Sequence, residues 1–315
     1  MHKNLILNAL NGQKTVHDNL LRGDAGAVRY CGMGDDTNQL ARTRLAYYLH
    51  FNHIDDEPTV FFLFSEEVKA RKHASFQGIG RCLEVLTFML MNYNEYNKYD
   101  KLFREAEKAN FDCYAGYDRC HIEPDIAEYS LLDGIYLARD LEYKDILAQL
   151  VEMWKHDDMT ASDRELLIRL NEYLDGGDEN ERLHRENIAY FIENGSDFEV
   201  ISAYHKLICH YISLENFGKA ADTLAELFSK ADVEKYKGIN LFLFILEDSV
   251  EIIPHLADGA ELWHWAKPFI SQLKGRFYGN LYKKSLDAAI SQNDEMADEI
   301  KADFDRWLEL AKLKP

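Results

Sequence analysis

The sequence predicts an all-α fold of antiparallel helix pairs, and three observations predict it. Apolar residues recur three and four positions apart through nearly the whole chain, as in Ile146, Leu147, Leu150, Val151 and Trp154. That spacing puts them on one stripe of a helix. Strict apolar/polar alternation, the mark of a half-buried strand, is nowhere sustained. Finally, only five prolines interrupt 315 residues, and proline is the residue that breaks helices most sharply.

The first helices are expected over 3–22, 37–54, 57–73, 76–94 and 97–110. Pro58 follows Asp56 and Glu57 and suits a first turn, where its missing N–H is not needed. The run Val60–Phe64 fits a short buried strand by periodicity alone. Its charged continuation, Glu66, Glu67 and Lys69, favours a helix with a buried first turn. The segment Ile79–Asn92 is apolar on most sides, so it should lie between neighbours. Residues 111–123 lack periodicity and read as a loop or hinge within a single domain over 1–315.

Further helices are expected over 124–139, 142–157, 162–175, 179–194 and 197–214. Pro124 suits the first turn of its helix. Ser162 with Glu165, Asp178 with Glu181 and Ser196 with Glu199 have the capping-box spacing. In that motif a side-chain oxygen takes an early backbone N–H while the Glu reaches back to the cap. Gly176-Gly177 and Asn194-Gly195 stand where helices should stop. The remaining spans are 217–230, 235–252, 258–274, 276–291 and 294–312. Leu241–Leu246 repeats the strand ambiguity, and Glu247-Asp248 again tips it towards helix.

Composition bounds the function. The chain is 47% hydrophobic and 12% aromatic, which supports a sizeable core and excludes disorder. The formal net charge is −19, which repels phosphate backbones. The longest basic cluster, Lys69, Arg71, Lys72 and His73, is too short to reverse that, so no nucleic-acid partner is expected. A charged partner would be basic. No apolar run approaches the roughly 20 residues that span a bilayer, and the first residues lack a signal-peptide pattern. A cytoplasmic protein without a membrane partner is expected. Cys31, Cys82, Cys113, Cys120 and Cys209 are odd in number and scattered, and read as thiols.

Helix pairs with short turns invite a search for a repeat near 34 residues. Tyr204, Leu207 and Tyr211, followed by Phe217, Ala220, Leu224 and Leu227, resemble a tetratricopeptide (TPR) unit over about 201–232. Large groups fill the seam and a small one lets the helices approach. Looser copies run through Leu86, Met89, Tyr93, Tyr99, Leu102, Ala106 and Ala109, and through Leu137, Tyr143, Ile146 and Leu150. The match departs from the family where Ile208 and Leu90 replace its small residue. Asp232 stands near the place of its terminal proline. The resemblance implies a TPR-like α-α superhelix, an α-solenoid; the alternative is an irregular helical bundle.

No coherent catalytic set emerges. Glu181–His184 and Glu261–His264 have the Glu-x-x-His spacing that di-iron helical proteins use twice. Here Glu181 also belongs to a capping box. Cys113, Cys120 and His121 cluster in a Tyr-rich stretch with no recognised zinc spacing. His17-Asp18 and His156-Asp157-Asp158 lack partner ligands in register, and His156 suits a helix C-terminus. Gly32-x-Gly34 and Gly78-x-Gly80 lack the strand a nucleotide fingerprint requires. The aromatic groups Trp263, Trp265, Phe269 and Tyr93, Tyr96, Tyr99 read as core at helical spacing.

The sequence therefore predicts a non-enzymatic scaffold that binds a protein or peptide, with no catalytic residue, no metal and no cofactor. Ser202, His205 and Cys209 lie opposite Tyr204, Leu207 and Tyr211 and are the expected partner contacts. Two alternatives remain: an acidic immunity or inhibitor protein that neutralises a basic toxin or nuclease, and a helical metalloenzyme using the Glu-x-x-His pairs. The oligomeric state is not legible.

Overall fold

Every regular element is helical, and no β-strand occurs among the described residues. The computed structural model describes residues 1–32, 36–73, 78–273 and 277–312. Gly34 of the Gly32-x-Gly34 spacing and the expected helix ends at 76, 274 and 276 lie outside them. By their contacts the residues form two units, Met1–Asp157 and Asp158–Pro315. The division falls at 157/158, while the 111–123 segment lies inside the first unit.

The first unit holds α1 (His2–Leu10), α2 (Gln13–Leu21), α3 (Gln39–Phe51), α4 (Glu57–Arg71), α5 (Arg81–Met91), α6 (Asp100–Glu107), α7 (Phe111–Gly116), α8 (Leu131–Asp140) and α9 (Lys144–Trp154). The single helix expected over 3–22 is two, because the chain breaks at Asn11-Gly12. Asp56 caps α4 through the Thr59 N–H with Pro58 in the first turn, and Val60–Phe64 is helical. Pro124 does not open a helix: α8 starts at Leu131, where Ser130 and Asp133 form a capping box. Part of the expected loop at 111–123 is α7, capped by the Asn110 side chain. Helix α1 packs on α3, α8 and α9, and α5 packs on both α3 and α4. Leu45, Leu49, Leu63, Phe64, Leu83 and Leu86 are fully buried there, each contributing about 1.5–3 kcal/mol of transfer free energy.

An ionic network runs through this core. The Arg42 guanidinium bonds Glu67 at 3.0 Å and also Asp36, and Arg71 bonds the other Glu67 oxygen. Arg42, Glu67 and Arg71 are all fully buried. Burial opposes the charge on Arg42, but its bond to Asp36 and the field of Glu67 hold its pKa above the usual value. Gly80 lets this happen. Its φ is +79°, and a methyl group there would stand 2.7 Å from the Arg71 guanidinium carbon. Only glycine tolerates both conditions.

The second unit holds α10 (Ala161–Tyr173), α11 (Asn180–Asn194), α12 (Asp197–Ser213), α13 (Phe217–Lys230), α14 (Asn240–Ile252), α15 (Ala260–Leu273), α16 (Gly279–Ser291) and α17 (Met296–Lys312). Leu241–Leu246 belongs to α14, so it too is helical. The capping box expected at Ser196 and Glu199 is present. The one expected at Ser162 forms a turn earlier, between Thr160 and Asp163. Asp178 caps nothing, because Gly177–Glu179 form a 3-10 turn that runs directly into α11.

Each helix of this unit packs on the next, and α12 also touches α14, which in turn touches α16. Helices α12, α14 and α16 therefore lie side by side. Tyr204, Leu207, Tyr211, Ala220, Leu224 and Leu227 are buried in the α12–α13 seam and its surroundings. Ala220, fully buried on α13, lets the two axes approach. The face of α12 turned away from that seam is left to carry polar groups.

Candidate functional site

That polar face opens into a groove of about 480 Å³. Helix α10 contributes Glu165, Arg169 and Glu172, and α11 contributes His184. From α12 come His205, Lys206, Cys209, His210 and Ser213. The helical period explains the set: His205 and Cys209 are four apart and share one side of α12. Lys206 reaches across to pair with Glu165.

The deepest chemistry lies where α12 meets α14. The His205 Nε2 stands 3.3 Å from the Cys209 Sγ and 3.3 Å from an Asp248 carboxylate oxygen. The same sulfur lies 3.9 Å and 4.0 Å from the two Asp248 oxygens. Among the described residues this is the group of three His, Cys, Asp or Glu side chains whose ligand atoms converge. Phe244, one turn before Asp248, stacks on the His205 ring with centroids 5.6 Å apart and planes 14° apart.

The electrostatics of the cluster are strained. Burial, and then the neighbouring Glu251, push Asp248 up to about 8. Desolvation of the sulfur, and then Asp248 and Glu251, push the Cys209 thiol up to about 12. Burial, and then Lys206, lower His205. Lys284 on α16 is held by Glu247 at 2.5 Å and Glu251 at 2.8 Å, so its charge is shared among carboxylates beside the cluster.

An imidazole pair also lines the groove. The His184 and His210 rings lie 5.4 Å apart. Burial, and then the proximity of His210, push His184 down to about 4. The folded protein thus holds His184 neutral, while the unfolded chain protonates it near pH 6.5. More protons are then bound by the unfolded state, so stability is present above about 6.5 and falls as pH drops towards 4. The shift corresponds to roughly 3 kcal/mol. An NMR titration should show the His184 ring still neutral at pH of about 5. A midpoint above about 6 would contradict the burial argument.

Two of the three expected contacts, His205 and Cys209, are thus brought together. Ser202, half-buried on the same helix, does not line the groove. The other sequence candidates go elsewhere. Glu181 pairs with Lys219 at 2.7 Å, and Glu261 and His264 are both exposed, so neither Glu-x-x-His pair joins the convergent group. Cys113 is buried in α7 while Cys120 is exposed, and His121 bonds Glu123 at 2.9 Å. His17 bonds Asp56 at 2.7 Å. His156 is exposed just beyond the end of α9. Trp263 and Phe269 are buried, whereas Tyr96 is 97% exposed.

Asp248 escaped the sequence reading. Its signal was a carboxylate placed three residues after Ile245 and four before Ile252, on the stripe α14 buries. A larger groove of about 550 Å³ in the first unit borders His50, His53, Phe88 and Glu123. Two of its central titratable groups are engaged: His50 bonds the Pro124 carbonyl at 3.0 Å, and Glu123 accepts from Tyr47 and Tyr129. It gathers no convergent set, so the second unit holds the better candidate.

No described helix is long and apolar enough to cross a membrane. Compared with known proteins, the chain matches no family model, no curated protein and no solved structure.

Proposed function

We propose that the second unit is a TPR-like binding platform that takes a protein or peptide segment along the face of α10, α12, α14 and α16. One observation carries this reading: α14 lies against both α12 and α16, and Lys206 of α12 reaches Glu165 of α10, so side chains of the four helices line up in one row. The row has the groove beside α12 at one end and a second groove of about 440 Å³ between α14 and α16 at the other. Stacked helix pairs use such rows to grip extended chains.

The chemistry of the row fits a partner bearing basic groups. Glu165, Glu172, Glu247, Glu251 and Asp287 outweigh the interspersed cations Arg169, Lys206, Lys283 and Lys284. The −19 net charge adds long-range attraction for such a partner. The platform does not act as an enzyme in this reading.

A random-peptide display library selected on the full chain tests it. Selected peptides should share a motif, weaken with salt, and bind roughly tenfold less tightly after Glu172→Lys or Asp287→Lys. Peptides that share no motif, or whose binding ignores both substitutions, would overturn the platform.

A further inference from the structure

We propose that His205, Cys209 and Asp248 bind a divalent transition-metal ion of the zinc type. The inference does not rest on peptide binding, and it departs from the sequence reading, which names no metal.

The geometry comes first. A tetrahedral zinc ion holds sulfur at about 2.3 Å and nitrogen and oxygen at about 2.0–2.2 Å. Neighbouring ligand atoms then stand roughly 3.3–3.6 Å apart. The triangle here measures 3.3 Å from nitrogen to sulfur, 3.3 Å from nitrogen to oxygen and 3.9 Å from sulfur to oxygen. Two edges fall within that range, and the third exceeds it by a few tenths of an ångström.

The scaffold is also suitable. His205 and Cys209 sit one turn apart on α12, and Asp248 comes from the adjoining α14. The Phe244 ring runs nearly parallel to the imidazole, 14° between planes and 5.6 Å between centroids, and flanks it on one side. An ion here would tie two neighbouring helices together.

The donor set selects the metal. Thiolate and imidazole favour zinc, cobalt and their neighbours over magnesium or calcium, which require oxygen cages. Charge agrees as well. A thiolate and a carboxylate neutralise a divalent ion, and the thiol proton, together with the carboxyl proton that Asp248 carries, leaves to solvent on binding. Asp248 is only 7% exposed, and the nearby Lys284 ammonium is bonded to Glu247 and Glu251 instead. A cation at the triangle would give that buried acid a direct partner. His205 and Cys209 both line the groove, so the fourth coordination position faces solvent and is free for water or an incoming donor group. Three protein ligands and one open position is the pattern of a reactive rather than a purely structural zinc site.

The test uses the full chain, stripped with a chelator and titrated with cobalt(II) as a spectroscopic stand-in. One ion per chain should bind, with a thiolate-to-cobalt charge-transfer band and the visible bands of a four-coordinate ion. Zinc should bleach both. Cys209→Ser should abolish the charge-transfer band. His205→Gln and Asp248→Asn should each weaken cobalt binding by roughly tenfold or more. Cys31→Ser and Cys120→Ser, which alter the other exposed thiols, should leave the spectrum unchanged. Circular dichroism reports whether each variant keeps its helices, and the His205 and Asp248 variants decide the matter if the serine variant does not. No charge-transfer band in the helical wild type, or a band that survives Cys209→Ser, overturns the site.

Discussion

Glu67→Ala is expected to lower the stability of the chain by about 3–5 kcal/mol. The reason lies in what the substitution leaves behind. Glu67 is fully buried and bonds both Arg42 and Arg71, which are fully buried themselves. Removing the carboxylate leaves two guanidinium groups near each other in a low-dielectric interior without the anion they share. Arginine cannot escape by losing its proton. Glu67→Gln keeps an acceptor oxygen and nearly the same volume, so it should cost distinctly less. Urea unfolding curves measure both. A loss below about 1 kcal/mol for the alanine variant would mean that water or another anion replaces Glu67 readily.

The second large effect belongs to Phe242→Ala, with an expected loss of about 3–5 kcal/mol. Phe242 is fully buried on α14. Its ring meets Phe269 edge-to-face at 5.1 Å and Trp265 at 6.2 Å, both from α15. Truncation removes the apolar burial and leaves a cavity that two rigid aromatic rings cannot easily fill. The lost ring pairing adds to it. Two residues on, Phe244 is 43% exposed, and Phe244→Ala should change stability by less than about 1 kcal/mol. Equal losses at the two positions, read from thermal or urea midpoints, would contradict the assigned faces of α14.

The contrast between Phe242 and Phe244 also shows where the sequence was legible. Helical periodicity placed nearly every long element, because a stripe of apolar residues needs only local spacing to be recognised. It resolved Val60–Phe64 and Leu241–Leu246 correctly once their charged flanks were weighed. The errors came at ends and breaks. Pro124 precedes a helix by several residues instead of opening one, because Ser130 and Asp133 provide a reciprocal cap further on. Asn11-Gly12 divides what one periodic stripe suggested was continuous.

The candidate site was half legible for a related reason. His205 and Cys209 are close in sequence, so helix geometry alone puts them together. Asp248 arrives from a different helix, and only tertiary packing of α12 on α14 brings it within reach. The same holds for the His184–His210 pair. The buried network of Arg42, Glu67 and Arg71 was missed because charged residues on a helix ordinarily face solvent. Nothing local marks Glu66 and Glu67 as carboxylates that turn inward.

Gly80 ties that network to its own history. A methyl group there would collide with the Arg71 guanidinium and would also have to hold a φ of +79°, so position 80 is constrained twice, by the network and by its own backbone. Arg71 in turn is tolerable only while Glu67 persists, because that carboxylate is the anion it meets in the core. Related chains should therefore keep Arg42, Glu67 and Arg71 or replace them together, and should keep Gly80 wherever Arg71 stands.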